Sequence, residues 1–163
     1  MEQVNLKMNE NVRYAMETAF DEAKARLSTG QGGMDPLIVT AVDDGYEFND
    51  IICDTPEEVR ESVKMLLAQD MPEGYALCYD GFVETDDGEL DAVIVEVAGR
   101  GSDYADCLAL LYTLEDSVYT FEADYYYTGP VQQLYPAGTK PIISGLTAID
   151  ADQNDGADSD CDI

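Results

Sequence analysis

The stretch "YALCYDGFVETDDGELDAVIVEV", residues 75–97, carries Asp80, Glu84, Asp86, Asp87, Glu89, Asp91 and Glu96. Carboxylates gathered this way have three uses. Two in different surroundings form a general acid–base pair. Three or four with free lone pairs hold a hard divalent cation. An ordered array offers charge to a basic partner. Other chemistries are narrowed by what the chain lacks. There is no histidine and no tryptophan, which excludes Ser–His and Cys–His nucleophile pairs and histidine-bearing zinc sites. Cys53, Cys78, Cys107 and Cys161 have no C-x-x-C spacing. Cys78 and Cys107 fall within apolar strand patterns and read as buried thiols.

The elements that must hold these acids are two β-strands. If Asp87-Gly88 is a two-residue turn, Glu84 faces Asp91, Asp80 faces Val95, and Glu96 lies beside Tyr79. On this pairing Asp80, Glu84, Asp91 and Glu96 are the candidate metal ligands. A facing Glu84–Asp91 pair is unfavourable unless it is solvated, protonated or bridged by a cation. The plain alternative is a set of acids at a hairpin tip, exposed to water, and a turn at Asp80-Gly81 would split the cluster. Both faces of the pair carry apolar residues, so neither is a simple wet side.

Around that hairpin the pattern is regular. Val12, Met16, Ala19, Phe20, Ala23 and Leu27 recur at helical spacing and predict an amphipathic helix over residues 9–28. "STGQGGMDP" stops it. "LIVTAV" (37–42) and "YEFNDIIC" (46–53) predict a first hairpin. Thr55 as N-cap, Pro56 at the first helical position and Glu58 completing a capping box predict a second helix to about residue 69. Strands follow over 75–84, 90–98, 106–114 and 118–127, joined by short links that favour antiparallel neighbours. The expected fold is α+β, with two helices on one face of a largely antiparallel sheet of five to six strands. Residues 1–149 form one domain, in which 129–149 is an irregular extension packed on the rest. The tail 150–163, "DADQNDGADSDCDI", is acidic and expected to be disordered. Its Asp150 frame puts Asp155 where a calcium loop needs Gly and Cys161 where it needs Glu, so it is not an EF-hand.

The segment "YALCYDGFVETDDGELDAVIVEVAGRG", preceded by "TPEEVRESVKMLL", resembles a small bacterial domain family of uncharacterised function. Tyr79-Asp80-Gly81, Asp91-Ala92-Val93 and Val95-Glu96 carry the resemblance, which covers residues 10–115. It implies a compact cytoplasmic α+β domain and supplies no activity.

Charge decides the class of partner. The chain has 35 acids and 8 bases, a net charge of −27. After Lys64 there are 21 acids and only Arg100 and Lys140 as bases. Such a surface repels nucleic acids and anionic membranes and attracts basic proteins. Three readings compete: solubility in a host with an acidic proteome, a docking face for a basic partner, and mimicry of nucleic acid. Tyr119, Phe121, Tyr125 and Tyr127 share one strand face and suit either a core or an interface. "GQGG" lacks the Lys-Ser/Thr of a phosphate-binding loop, and no cofactor is implied. No apolar run is long enough to span a bilayer.

The expectation is therefore a cytoplasmic, non-enzymatic interaction protein, an inhibitor, immunity factor or adaptor, monomeric or weakly dimeric. It would dock a basic protein surface through Glu84, Asp86 and Asp87, with Tyr119, Phe121, Tyr125 and Tyr127 as a further contact face. A carboxylate-based, metal-dependent enzyme and a nucleic-acid mimic are the alternatives.

Overall fold

The structure is a computed structural model that describes residues 9–29, 33–42 and 45–140. The expected acidic tail, the rest of the extension beyond Lys140 and residues 30–32 of the glycine stop after the first helix lie outside the described residues.

Among the described residues, two helices and seven strands follow the predicted order: α1 (Glu10–Thr29), β1 (Leu37–Val42), β2 (Gly45–Asp50), α2 (Pro56–Asp70), β3 (Gly74–Thr85), β4 (Gly88–Gly99), β5 (Ala105–Glu115), β6 (Val118–Phe121) and β7 (Tyr126–Val131). Every pairing is antiparallel, and the strands lie in the order β2-β1-β3-β4-β5. The outer lane beside β5 is shared. β6 pairs with Tyr112–Glu115 and β7 with Ala105–Ala109, with a register shift at Cys107/Leu108. The predicted strand over 118–127 is thus interrupted at 122–125, where Tyr125 leaves the lane to stack on Phe20 of α1 at 5.1 Å. Among the described residues no helix is long and apolar enough to cross a membrane.

The helices lie on opposite faces of the sheet, not on one face as the sequence suggested. α1 buries Val12, Met16, Ala19, Phe20, Ala23 and Leu27 against Leu37, Val39, Ala76, Cys78, Val93, Val95 and Leu108. α2 buries Val59, Val63 and Leu67 against Ile38, Tyr75 and Leu77, the alternate residues of the same strands. The cause is the run "LIVTAV" with its neighbours. A strand apolar on both faces must be covered on both.

α2 begins as its sequence requires. Thr55 Oγ1 accepts from the Glu58 N–H at 3.2 Å, and Pro56 opens the helix. The Glu58 carboxylate reaches back one residue further than a capping box needs, accepting from the Asp54 N–H at 3.0 Å. The extension expected to be irregular from residue 129 begins as strand, since Gly129–Val131 belong to β7 and pair with β5; the chain beyond, to Lys140, packs on the domain without regular structure. Leu134 and Tyr135 are buried beside α2. The Tyr75 hydroxyl accepts from the Leu134 N–H at 3.0 Å, and the Tyr135 hydroxyl donates to the Pro72 carbonyl at 2.8 Å.

Candidate functional site

The acidic hairpin is β3–β4, but its register differs from the expected one by two residues. Its two-residue turn is Asp86-Asp87, so Thr85 faces Gly88, Glu84 faces Glu89, Phe82 faces Asp91 and Asp80 faces Val93. Thr85 fixes this turn. Its hydroxyl accepts from the Asp87 N–H at 3.1 Å and donates to the Gly88 carbonyl at 2.9 Å. Gly88 takes φ +104°, a conformation that favours glycine. The glycine therefore begins the return strand instead of closing the loop.

The four candidate metal ligands are not brought together: the shift parts Glu84 from Asp91, and strand alternation puts Glu96 on the other face. Asp80, Glu84 and Asp91 belong to the face that α1 covers further along the strands, and Glu96 belongs to the α2 face. Among the described residues no three cysteine or carboxylate side chains are grouped so as to hold a metal ion. Asp80 instead accepts from the Tyr112 hydroxyl at 2.6 Å. Glu84, Asp86, Asp87, Glu89 and Asp91 are all exposed.

Glu96 is only 1 % exposed, the sole buried acid among the described residues. A buried carboxylate must be paired and hydrogen-bonded, and this one is. Arg60 of α2 grips it with both terminal nitrogens, at 2.9 Å and 2.6 Å, and the Tyr79 hydroxyl donates to it at 2.6 Å. The Arg60 pKa is pushed further up, chiefly by its hydrogen bonds to Glu96. Tyr79 is also pushed up, first by burial and then by donating to Glu96. With three donors on its two oxygens, Glu96 is a structural anchor that ties α2 to β4. The expected adjacency of Glu96 and Tyr79 holds through this hydrogen bond, although the residues facing each other are Tyr79–Ile94 and Leu77–Glu96. Sequence reasoning missed Arg60. The signal was an acid inside "AVIVEVA" in a chain with 8 bases. Such an acid calls for a cationic partner, and Arg60 sits beside the buried stripe of α2.

Beside the Arg60–Glu96 pair lies a groove of about 610 Å³ between the start of α2 and the sheet. Val59, Leu77, Val83 and Ile94 make its apolar floor and wall, and Arg60 and Tyr79 border it. The volume falls in the range of about 300–1,000 Å³ typical of ligand sites. The chain matches no protein-family model, no curated protein and no solved structure. Its chemistry is read from this geometry alone.

The aromatic candidates lie elsewhere. Tyr119, Phe121, Tyr125 and Tyr127 are half-buried against the α1 core. Tyr119 and Phe121 stack at 6.1 Å and both pack on Tyr112. The Tyr127 hydroxyl donates to Asp106 at 3.1 Å. These contacts close the sheet beyond α1 and leave the exposed acids of the hairpin as a separate surface. Cys53, Cys78 and Cys107 are free thiols. Burial pushes Cys78 up to about 12 and raises Cys107, so neither is poised as a nucleophile.

Proposed function

We propose that the protein is a non-enzymatic interaction protein that docks a basic surface of a protein partner through the tip of the β3–β4 hairpin. One observation carries this reading. Glu84, Asp86, Asp87, Glu89 and Asp91 are exposed, yet Glu84, Glu89 and Asp91 stand in paired strands and Asp86 and Asp87 in the turn that the Thr85 hydroxyl braces. Arg26, Arg60 and Lys64 spend their charge elsewhere, on Glu22, Asp50, Glu96 and Glu61. Acids that are already ordered lose little freedom on binding, and their field steers a basic partner onto them. The carboxylate that a catalytic reading would want most, Glu96, is consumed by Arg60 and Tyr79.

Affinity capture from a host lysate tests the reading, with the wild type and with Glu84→Gln/Asp86→Asn/Asp87→Asn run in parallel. A partner retained in low salt, released in high salt and lost with the triple variant is the expected result. Retention that ignores both salt and the triple change would rule the acidic tip out.

A further inference from the structure

The wall of the groove includes Tyr79, Asp80, Gly81, Phe82 and Val83, five residues in a row. Side chains alternate across a strand, so a cavity lying on one face touches every second residue. Contact with consecutive residues places the cavity against the backbone of β3 as well as its side chains. One edge of β3 is open there. β1 pairs with β3 only as far as Leu37–Cys78, whereas β3 runs on to Thr85.

The direction of the backbone groups along this edge follows from the ladder. The Ile51 N–H donates to the Pro36 carbonyl at 2.8 Å. Even-numbered residues of β1 therefore bond β2, and odd-numbered ones bond β3. Leu37–Cys78 is then a hydrogen-bonded pair. Alternation continues along β3, so the N–H and C=O groups of Asp80, Phe82 and Glu84 point into the lane that β1 has left. The two-residue turn agrees, because it makes Thr85–Gly88 a bonded pair and directs odd-numbered residues of β3 toward β4. Phe82 stands 54 % exposed in the middle of this edge.

We infer that the open lane receives an extended basic segment of a partner protein, added as a strand to β3 at residues 80–84, with one apolar side chain seated in the groove. The inference rests on the acidic-docking reading and gives it a position and a geometry. Main-chain hydrogen bonds to an edge supply affinity, and pockets for alternate side chains supply specificity. Gly81 keeps the pocket open, since a Cβ there would come within 3.1 Å of Ile94 Cγ1. Asp80 and Glu84 stand on the strand that borders the lane, and Asp86 and Asp87 on the turn at its end, so the matching strand carries Lys or Arg. A second copy of this chain would bring its own acids to the seam, and like charges deter such edge-to-edge pairing.

The probe is a labelled peptide of sequence Lys-Lys-Val-Thr-Leu-Thr-Val-Lys-Lys, followed by fluorescence anisotropy with the full chain. Two kinds of control peptide, three peptides in all, accompany it. One carries N-methyl groups on alternate central amides, in both possible registers, and the other is a Gly/Lys peptide of equal charge. Phe82→Pro removes an N–H that faces the open lane without breaking the ladder to β4, and Phe82→Ala controls for the lost ring. The parent peptide should bind more weakly as salt rises. N-methylation in one register, and Phe82→Pro relative to Phe82→Ala, should each weaken it about tenfold, the loss of one or two main-chain hydrogen bonds. The Gly/Lys peptide, which has no anchor, should also bind more weakly.

Equal binding of the parent, both N-methylated peptides and the Gly/Lys peptide would overturn strand addition. If Glu84→Gln/Asp86→Asn/Asp87→Asn still abolished that binding, acidic docking would survive without the strand. Binding that depends on the edge but ignores salt and the triple change would keep the lane and remove its basic specificity. No binding of the parent at any salt concentration would overturn the inference. The N-methylated peptides use wild-type protein, so the test survives even if Phe82→Pro fails to fold.

Discussion

Glu96 shows how one residue in the wrong company dictates several others. It sits among Val93, Ile94, Val95, Val97 and Ala98, where an unpaired charge would be prohibitive. Arg60 and Tyr79 resolve the cost together. Arg60→Met removes the cation and leaves the carboxylate buried. Breaking a fully buried pair costs about 3–5 kcal/mol. The Arg60 side chain is 40 % exposed, so some solvent reaches the pair and the expected loss is about 2–3 kcal/mol. Tyr79→Phe removes one hydrogen bond to a charged acceptor and should cost about 1.5 kcal/mol. The double change Arg60→Met/Glu96→Leu should recover much of the loss, because apolar residues of similar size can replace a buried ion pair at little cost. Urea titration of the three variants checks this. A double variant no better than Arg60→Met would mean that Glu96 is not held mainly by Arg60.

At the level of elements, the capping chemistry of α2 leads to a second prediction. Thr55→Ala removes the acceptor for the Glu58 N–H and should destabilise the domain by about 1 kcal/mol, read as a shift in the urea midpoint. The β5–β6 turn gives a third. Asp116 and Ser117 both hold positive φ, 53° and 67°, a conformation that strains residues with a Cβ. Replacing Asp116-Ser117 by Asn-Gly should stabilise the domain by about 1 kcal/mol. No gain would mean that the turn carries little of that strain. Most elements were legible in the sequence because their signals are local: the heptad-like spacing of α1, the Thr-Pro-x-Glu start of α2, and the apolar runs of β3, β4 and β5. What could not be read depends on a close choice between neighbouring turns or on distant partners. The register of β3–β4 turned on the Thr85 hydroxyl bracing an Asp-Asp turn, where Asp-Gly looked the better loop. The break before β7 turned on Tyr125 finding Phe20, about a hundred residues away in the chain. The groove was invisible for the same reason. It exists because β1 stops seven residues before β3 does, and relative strand length across a sheet is not written in either strand.

For the molecule as a whole, the absence of histidine and the wealth of buried hydroxyls move pH sensitivity to the alkaline side. Burial holds the Cys78 thiol up to about 12, against an ordinary value near 9. Burial likewise raises Tyr75, Tyr79, Tyr112 and Tyr135 above the ordinary tyrosine value of 10. In the unfolded chain these groups release their protons at their ordinary values. Between those values and the higher folded ones, the unfolded state binds fewer protons. Their contribution to stability is therefore intact below about pH 9 and declines above it, first through Cys78 and from about pH 10 through the tyrosines. For a group kept fully protonated in the folded state, the decline is about 1.4 kcal/mol per pH unit. The charge of −27 acts in the same direction, since each ionisation adds to a repulsion that compactness worsens. Salt separates the two causes: it screens repulsion between exposed charges but has little hold on buried thiols and phenols. Urea titrations at about pH 8 and about pH 10.5, each in low and high salt, should show a midpoint that falls with pH and recovers only in part with salt. Tyrosinate absorbance should rise with unfolding and not before it for the buried set. A midpoint unchanged between the two pH values would show that these groups ionise in place, and that the interior around Tyr75, Cys78 and Tyr79 is more accessible to water than its packing implies.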